Sequence, residues 1–393
     1  MTKELETTNI GVVGHIDHGK TTLLSRLTGT WASKHSEELK RGITIKLGYA
    51  DMILYKEGSG YNIKSGTPVK HISFVDAPGH EMLMATMLSG AAMIDAAILV
   101  IAANEGIKAQ TREHLRALEA KKVPHLIVIQ NKIDLIPKEQ ALENYKEIKK
   151  ILKGSFENVT IIPVSAQQEV NVDKVLEAIA ELPIPKRDPK GEPKFIVARS
   201  FDINKPGTKP SGLKGAVLGG TLLSGSLKPG DSIEIKPGMV VKEANQYNYK
   251  TLRAKVRKLF NGSKEVQVLT PGGSSSVETS LDMSQGKSDS LSGCVVSHQG
   301  ALPEITTALK IKYTLFPDMA SPTGTSKVDP IKPSETLLLS INTSMTLGIV
   351  KKLNKTEAEL SLKVPIVPSK GTTLGIARSI NNHWRLIGHA EIL

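Results

Sequence analysis

Nine residues near the amino terminus, GHIDHGKTT at 14–22, combine two glycines with a lysine and two threonines directly after the apolar run 10–13. A strand, a glycine-bounded loop and a helix that starts at Lys-Thr form a cradle of backbone amides that surrounds phosphates. In such a loop the lysine contacts the β- and γ-phosphates and the next hydroxyl binds Mg²⁺. We therefore predict a nucleotide site, with Thr21 as a Mg²⁺ ligand. The predicted residues on the phosphate side are Asp17, His18, Gly19, Lys20, Thr21 and Thr22.

Two later segments indicate which base is bound. The sequence NKID at 131–134 follows the apolar run HLIVIQ, and VSAQ at 164–167 follows the next apolar run. A carboxylate at Asp134 accepts two hydrogen bonds from N1–H and the exocyclic amine of guanine, whereas adenine offers neither donor. Ser165 and the amide of Ala166 are expected to close over guanine O6, so the predicted ligands are GTP and GDP. The predicted base-side residues are Asn131, Lys132, Asp134, Ser165, Ala166 and Gln167.

The sequence DAPGH at 76–80 follows a third apolar run and has the residues to act on a γ-phosphate. Asp76 is predicted to hold Mg²⁺ through water, and the small Gly79 lets its amide approach the γ-phosphate. His80 is predicted to be catalytic by aligning the attacking water; the alternative is a capping histidine at a helix start. In RGITI at 41–45, Thr44 is predicted to bind Mg²⁺ and the γ-phosphate together, which would make this segment a switch that is released on hydrolysis.

These residues lie between elements whose pattern indicates the fold. Short apolar runs alternate with amphipathic segments over residues 8–182, which predicts a mostly parallel sheet with helices on both faces. The strand candidates are 9–13, 45–54, 71–76, 96–102, 125–130 and 160–164. A proline-rich stretch at 181–194 is typical of a linker, and the remaining ~200 residues show the alternation of an all-β region. We predict a P-loop GTPase domain at 1–190 followed by two β-barrel domains at 191–301 and 302–393.

Composition limits the classes of partner and compartment. The net charge is +12 and the pI is about 9.4, which favours a polyanionic partner without proving one. Only one cysteine is present, so neither an intrachain disulfide nor a cysteine-based metal site can form. The first ten residues lack an apolar signal core, and the longest apolar run, near 93–103, is interrupted by Asp95. We expect a cytoplasmic protein that has no membrane partner.

Taken in order, these segments resemble the translational GTPases, the group that includes elongation factor Tu. The stretches TGTWASKHSEELKRGITIKLGYAD (28–51), RSFDINKPGT (199–208) and KVDPIKPSETLLLSINTSMTLGIV (327–350) narrow the resemblance to the family of the gamma subunit of archaeal and eukaryotic translation initiation factor 2. The closing segment WRLIGHAEI also resembles that family. The resemblance extends over nearly the whole chain.

The resemblance implies a GTPase domain, two β-barrels and a specific task. With alpha and beta partner subunits, the GTP form would carry initiator methionyl-tRNA to the small ribosomal subunit, and GTP hydrolysis would act as the switch. It also implies a second Mg²⁺, held by Asp17 and the backbone of Gly42, and an apolar gate of Ile16 and Ile43 beside the catalytic histidine.

One segment departs from the family pattern. Many archaeal members carry a four-cysteine zinc knuckle between the switch segment and the DAPGH strand, but the interval MILYKEGSGYNIKSGTPVKHISF contains no cysteine. No zinc is expected here. The interval instead predicts a hairpin with a Gly-Ser-Gly turn at 58–60.

Two other functions share the phosphate motifs. The first is an elongation-type factor that carries another aminoacyl-tRNA; KLGYAD after RGITI and RSFDINKPGT argue against it. The second is a metabolic regulatory GTPase subunit, such as that of sulfate activation, because one fold supports several functions.

Overall fold

The structure is a computed structural model that describes residues 5–29, 48–76, 93–154, 156, 159–204, 207–209, 212–243, 246–321 and 324–393. The chain divides into two compact units. The first unit contains the chain up to residue 185 together with two later segments, 316–328 and 383–386. The second unit contains residues 186–315, 329–382 and 387–393.

A seven-stranded sheet forms the centre of the first unit. Its strands are β1 (Thr7–Gly14), β2 (Gly48–Glu57), β3 (Gly60–Asn62), β4 (Thr67–Asp76), β5 (Ala96–Ala102), β6 (His125–Asn131) and β7 (Thr160–Pro163). They lie in the order β3-β2-β4-β1-β5-β6-β7. The neighbouring pairs β4–β1, β1–β5, β5–β6 and β6–β7 are parallel. The pairs β2–β4 and β2–β3 are antiparallel and form one edge of the sheet. The predicted mostly parallel sheet is therefore confirmed.

The helices of this unit follow from the spacing of their apolar residues. Within the described residues, the α-helices are α1 (Lys20–Thr28), α2 (Ala109–Ala120), α3 (Lys138–Leu152) and α4 (Val172–Glu181). In α1 the buried side chains include Leu23, Leu24 and Leu27, and in α4 Val175, Leu176 and Ile179 take the same spacing. Such i, i+1, i+4 spacing places them on one face of each helix. The central strand β5 (AAILVIA) is buried along its whole length, as a parallel strand covered on both faces should be.

The strand ends differ from the sequence prediction at the sheet edge. The predicted strand 71–76 begins at Thr67, because residues 67–70 pair with β2. The predicted strand 45–54 corresponds to β2, and its first three residues lie outside the described part of the chain. The hairpin at 58–60 is present, with Glu57 opposite Gly60. Its turn consists of Gly58, with φ of 60°, and Ser59, while Gly60 already belongs to β3.

A six-stranded closed barrel forms the first part of the second unit. Its strands are β8 (Lys194–Phe201), β9 (Val217–Ser224), β10 (Ser232–Glu243), β11 (Gln246–Asn261), β13 (Ser275–Thr279) and β14 (Val295–His298), and the short β12 (Lys264–Val266) pairs with β11. The order β10-β14-β8-β9-β13-β11 is closed by pairing of β10 with β11. In β11, buried Leu252, Ala254 and Val256 alternate with exposed basic side chains, which explains the alternation KTLRAKVRKLF in the sequence.

A second closed barrel has the strand order β15-β20-β19-β18-β21-β22. Its strands are β15 (Thr306–Leu315), β18 (Thr336–Ile341), β19 (Ser344–Leu353), β20 (Glu357–Ile366), β21 (Thr373–Ile380) and β22 (His383–Ile392). Between β15 and β18 lies a two-stranded ribbon of β16 (Asp318–Ser321) and β17 (Gly324–Lys327), which belongs to the first unit. A mostly parallel sheet with helices, followed by two barrels, confirms the predicted fold class.

Candidate nucleotide-binding site

The predicted phosphate loop lies between β1 and α1 and is shaped by three residues with positive φ. These are Gly14 (142°), Asp17 (61°) and Gly19 (88°). Helix α1 begins directly after Gly19, and its first turn has neither a side-chain cap nor an acidic residue. The first amides of a helix have no intrahelical acceptor and carry the positive end of the helix dipole. The loop therefore presents amides suited to an anion.

Both loop glycines lie where a side chain does not fit. A Cβ added at Gly14 would lie 2.3 Å from the carbonyl oxygen of Val100. A Cβ added at Gly19 would lie 2.3 Å from Nδ2 of Asn131. The glycines are therefore required by close neighbours as well as by their backbone angles.

The Lys20 side chain is buried inside this loop, at 7% exposure. Its ammonium donates hydrogen bonds to the carbonyl oxygens of Gly14 (2.9 Å) and His15 (2.8 Å). Burial lowers the pKa of Lys20, and the carboxylates of Asp76 and Asp17 oppose that shift. The amine thus lies among the groups predicted to hold phosphates and Mg²⁺.

Asn131 connects three segments that were predicted separately. Its Nδ2 donates to the carbonyl oxygen of His18 at 2.9 Å, and its Oδ1 accepts from the amide of Ala166 at 3.0 Å. Asn131 itself is buried at the end of β6. One side chain therefore joins the phosphate loop, the NKID segment and the VSAQ segment.

The predicted base-side residues lie on two short loops. Asp134 is exposed on a 3₁₀ helix, Ile133–Leu135, and Gln167 is also exposed. Ser165 is buried, and its hydroxyl accepts from the amide of Gln168 at 3.2 Å. Backbone hydrogen bonds between Ser165 and Val170 close this loop. The carboxylate of Asp134 is thus accessible to a base.

Glu105 is a residue of this site that sequence reasoning missed. Its carboxylate lies 3.3 Å from Nζ of Lys132 in the NKID segment and 3.9 Å from Nε2 of His18 in the phosphate loop. Burial, as the largest cause, lowers the pKa of His18 to about 4, so this imidazole is neutral at pH 7. Glu105 lies in a turn after β5 and belongs to none of the motifs, so no sequence pattern pointed to it.

The predicted Mg²⁺ site contains oxygen donors from Asp76 and Thr21. Asp76 ends β4 opposite Val12 of β1, and its side chain is fully buried. Carboxylate and hydroxyl oxygens, as at Asp76 and Thr21, are the ligands that Mg²⁺ prefers. Within the described residues, no group of three or more His, Cys, Asp and Glu side chains is placed to hold a metal ion. The oxygen donors of Thr21 and Asp76 fit a hard cation such as Mg²⁺.

Several predicted residues lie outside the described part of the chain. They are Gly42, Thr44, Gly79 and His80, together with Ile43 of the predicted gate.

His114 is a second residue that sequence reasoning missed. It lies on α2 at 3% exposure, and its Nδ1 accepts a hydrogen bond from the amide of Gly14 at 2.9 Å. Burial lowers its pKa to about 3, and the charges of Lys20, His15 and His18 act in the same direction. The imidazole is therefore neutral, with its proton on Nε2.

This histidine gives a pH-dependent contribution to stability. Its pKa is about 3 when folded against an ordinary 6.5, so between these values the unfolded chain binds more protons. The contribution is complete above pH 6.5 and is lost as the pH falls toward 3. At pH 5 the loss is about 2 kcal/mol, or roughly 4–8 °C in unfolding temperature. The unfolding temperature of the wild type should fall between pH 7 and pH 5. We expect this fall to be smaller by that amount in His114→Gln, because glutamine does not titrate. An equal drop in both proteins would contradict this assignment.

Two family models match parts of the chain. Residues 5–184 match the model described as "Elongation factor Tu GTP binding domain". Residues 307–392 match "Initiation factor eIF2 gamma, C terminal".

Curated proteins match over nearly the full length. Translation initiation factor 2 subunit gamma of Methanococcus maripaludis (strain C6) is 46% identical over 401 residues, covering 98% of each chain. The proteins of the same name from Methanocaldococcus jannaschii and Pyrococcus horikoshii are 46% and 45% identical, covering 98% of this chain and 97% of theirs.

Solved structures support the fold. A bacterial selenocysteine-specific elongation factor, EF-Sec, gives a TM-score of 0.78 at 24% identity and covers 99% of this chain and 58% of its own. Elongation factor SelB from Methanococcus maripaludis, in complex with the GTP analogue GppNHp, gives 0.74 at 23% identity and covers 99% and 79%. At these identities the likeness concerns the fold alone.

Among the described residues, no helix has the length and hydropathy needed to cross a membrane.

Proposed function

Because the chain belongs to the translation initiation factor 2 subunit gamma family, we propose that its GTP form binds initiator methionyl-tRNA and delivers it to the small ribosomal subunit. Alpha and beta subunits of the same factor are the proposed partners. The observation that supports this most is the identity of 46% over 98% of the chain to relatives of that name. The translational GTPase fold supplies the switch, and the net charge of +12 suits a polyanionic partner.

The proposed domains are 1–190 for GTP binding and 191–301 and 302–393 for the two barrels. The strands of the first barrel lie between residues 194 and 298, and the first strand of the second barrel begins at Thr306. Residues 183–193, between the sheet of the first unit and the first barrel, contain neither helix nor strand. These ranges support the proposed boundaries.

We propose that GTP lies with its phosphates on the loop at 14–22 and its guanine between Asp134 and the Ser165 loop. The amides at the start of α1 and the ammonium of Lys20 would contact phosphate oxygens. When GTP binds, the Lys20 ammonium would leave the carbonyl oxygens of Gly14 and His15 and donate to phosphate oxygens instead. A hydrogen bond between an ammonium and a charged phosphate is stronger than one to a neutral carbonyl. Asn131 would keep the base-side and phosphate-side loops in a fixed relation.

Thr21 and Asp76, the latter through water, would hold one Mg²⁺, and Asp17 with the backbone of Gly42 would hold a second. Bound Mg²⁺ neutralises charge on the phosphate oxygens. Thr44 would contact the γ-phosphate as well, so that its segment is released when this phosphate leaves. His80 would orient a water for in-line attack on the γ-phosphorus; the bond to the bridging oxygen then breaks and GDP and phosphate are formed.

A His80→Ala variant is expected to bind GTP as the wild type does and to hydrolyse it about a hundredfold more slowly, the scale of one lost positioned group. Single-turnover release of phosphate measures the rate, and displacement of a fluorescent nucleotide measures the affinity. His125→Ala, at the far end of β6, is the matched control. Wild-type turnover in the His80 variant would remove this residue from the mechanism.

The function is tested by protection of the aminoacyl ester of methionyl-tRNA against hydrolysis. Initiator and elongator species are compared with the GTP-bound and GDP-bound protein, with and without a purified alpha subunit. Preferential protection of the initiator by the GTP form, strengthened by the alpha subunit, supports the proposal. Equal protection of both tRNAs indicates an elongation-type carrier. Absence of protection while GTP still binds indicates a metabolic regulatory subunit.

A further inference from the structure

Helix α2 contacts the phosphate loop through His114 and through Gln110, whose side chain forms a hydrogen bond with His15. His114 accepts the amide hydrogen of Gly14, the residue at which β1 ends and the loop begins. Gly14 has little freedom to find another acceptor, since its α-carbon already lies against the backbone of Val100. A buried amide that loses its acceptor is strongly destabilised. The hydrogen bond therefore fixes the first peptide of the loop to α2.

The same helix contacts two later segments of the first unit. Glu113, next to His114, accepts a hydrogen bond from Nη1 of Arg385 at 2.6 Å. One turn on, Nη2 of Arg116 donates to Oδ1 of Asp318 at 2.8 Å. The Arg116 guanidinium also lies 5.1 Å from the centre of the Phe316 ring. All of these residues belong to the first unit.

The pair between Glu113 and Arg385 differs from a surface ion pair. The side chains are 4% and 12% exposed. Buried charges depend strongly on their partners, because removal of one leaves the other desolvated and uncompensated. We expect loss of Arg385 to shift Glu113, and with it the turn of α2 that carries His114.

We propose that His114 is a positioning residue for the phosphate loop, and that the pair of Glu113 with Arg385 holds it in place, so that nucleotide affinity depends on Arg385. Arg385 lies 272 residues from Glu113 in the sequence. The proposal rests on the loop at 14–22 being the phosphate site. Binding free energies are reciprocal: nucleotide must strengthen the contacts of Arg385 by the same factor by which those contacts strengthen nucleotide binding.

The first test is the affinity for fluorescent GDP, measured at pH 7.5 by titration of His114→Leu and His114→Asn. Leucine fills the site without an acceptor, whereas the amide oxygen of asparagine, bonded to Cγ as Nδ1 of histidine is, can accept from Gly14. We expect about a tenfold loss of affinity in His114→Leu and recovery to within about threefold of wild type in His114→Asn, since one buried donor is left unpaired only in the former. Unchanged affinity in the leucine variant, or equal loss in both, overturns the positioning role.

The second test is a double-mutant cycle with Arg385→Met. We expect a loss of about fivefold in the single variant, and a smaller added loss when Arg385→Met is combined with His114→Leu, because the hydrogen bond to Gly14 is then already broken. Independent multiplication of the two losses overturns the coupling. Arg378→Met is the matched control: it breaks an Arg–Glu pair with Glu335 in the second barrel, so it should lower the unfolding temperature and leave GDP affinity unchanged.

Two further measurements keep the result interpretable. Lys20→Ala should abolish GDP binding. If Lys20→Ala abolishes binding while the His114 variants bind normally, only the positioning role of His114 fails. If Lys20→Ala still binds GDP, the assignment of the phosphate site fails. Should His114→Leu not fold, the nitrogen–nitrogen coupling across the hydrogen bond from Gly14 to Nδ1 of His114 is measured by NMR in the wild type and in Arg385→Met. We expect a coupling that weakens in the variant. Its absence in the wild type, or an equal value in both proteins, overturns the proposal.

Discussion

An Asp134→Asn variant is expected to lose affinity for GDP by about 10³-fold and to gain affinity for xanthosine diphosphate. The Asp134 carboxylate is exposed on its 3₁₀ helix and available to two donors of guanine. The NH₂ group of an asparagine would face the exocyclic amine of guanine, and both groups are donors. One of the two hydrogen bonds is therefore lost, and the contact in its place becomes repulsive. Sites built around such hydrogen bonds discriminate against mismatched ligands by factors of up to about 10⁴–10⁵. Xanthine carries an oxo group in place of the amine and accepts from the new amide.

Competition of GDP and xanthosine diphosphate for the fluorescent nucleotide measures this exchange. Asp173→Asn is the matched control, an exposed aspartate in the first turn of α4 that makes the same change of charge. It should leave both affinities unaltered. Retained guanine affinity in the Asp134 variant would show that another group recognises the base.

A Gly19→Ala variant is expected to bind nucleotide about 10³-fold more weakly. A non-glycine residue in the left-handed region costs about 1–2 kcal/mol, and Gly19 has φ of 88°. The added methyl would also displace Nδ2 of Asn131, 2.3 Å away, from its bond to His18. A buried polar group left unpaired costs about 1–3 kcal/mol. The free protein can avoid both costs by moving the loop out of its binding conformation, so nucleotide binding must restore that conformation at about 4 kcal/mol, or three orders of magnitude in affinity.

Gly29→Ala separates the two causes. Gly29 follows the same helix with φ of 69°, but an added Cβ there meets no atom within 4 Å. The control should therefore lower stability through backbone strain without a large change in affinity. Isothermal titration with GDP and thermal unfolding of each variant provide both quantities. Equal affinity losses in the two variants would assign the effect to strain alone.

The sequence predicted those parts of the molecule that local pattern determines. Glycines with a following Lys-Thr predicted the loop at 14–22, because only small residues and a helix start create such a cradle. Alternation predicted the all-β region after the linker, and β11 shows that pattern, since every second side chain of a barrel strand is interior. The two barrels followed from the same alternation and from the amount of chain that remained.

Contacts between distant segments could not be predicted in this way. Asn131 donates to His18, which lies 113 residues earlier, and His114 accepts from Gly14, which lies 100 residues earlier. Neither asparagine nor histidine shows by its neighbours in sequence which buried group it will meet. The early start of β4 has the same origin, because residues 67–70 become strand only through pairing with β2.

The two hydrogen bonds of Asn131 have a consequence for amide hydrogen exchange. The amide of Ala166 is protected by Asn131, and the same side chain holds the carbonyl of His18. Because both hydrogen bonds are made by one side chain, we expect the two loops to open together, as a single unit. Guanosine without phosphates would contact only the base-side loop, yet it should slow the exchange of amides in the phosphate loop as well. Base and phosphates would thereby be sensed by one cooperative element of the protein.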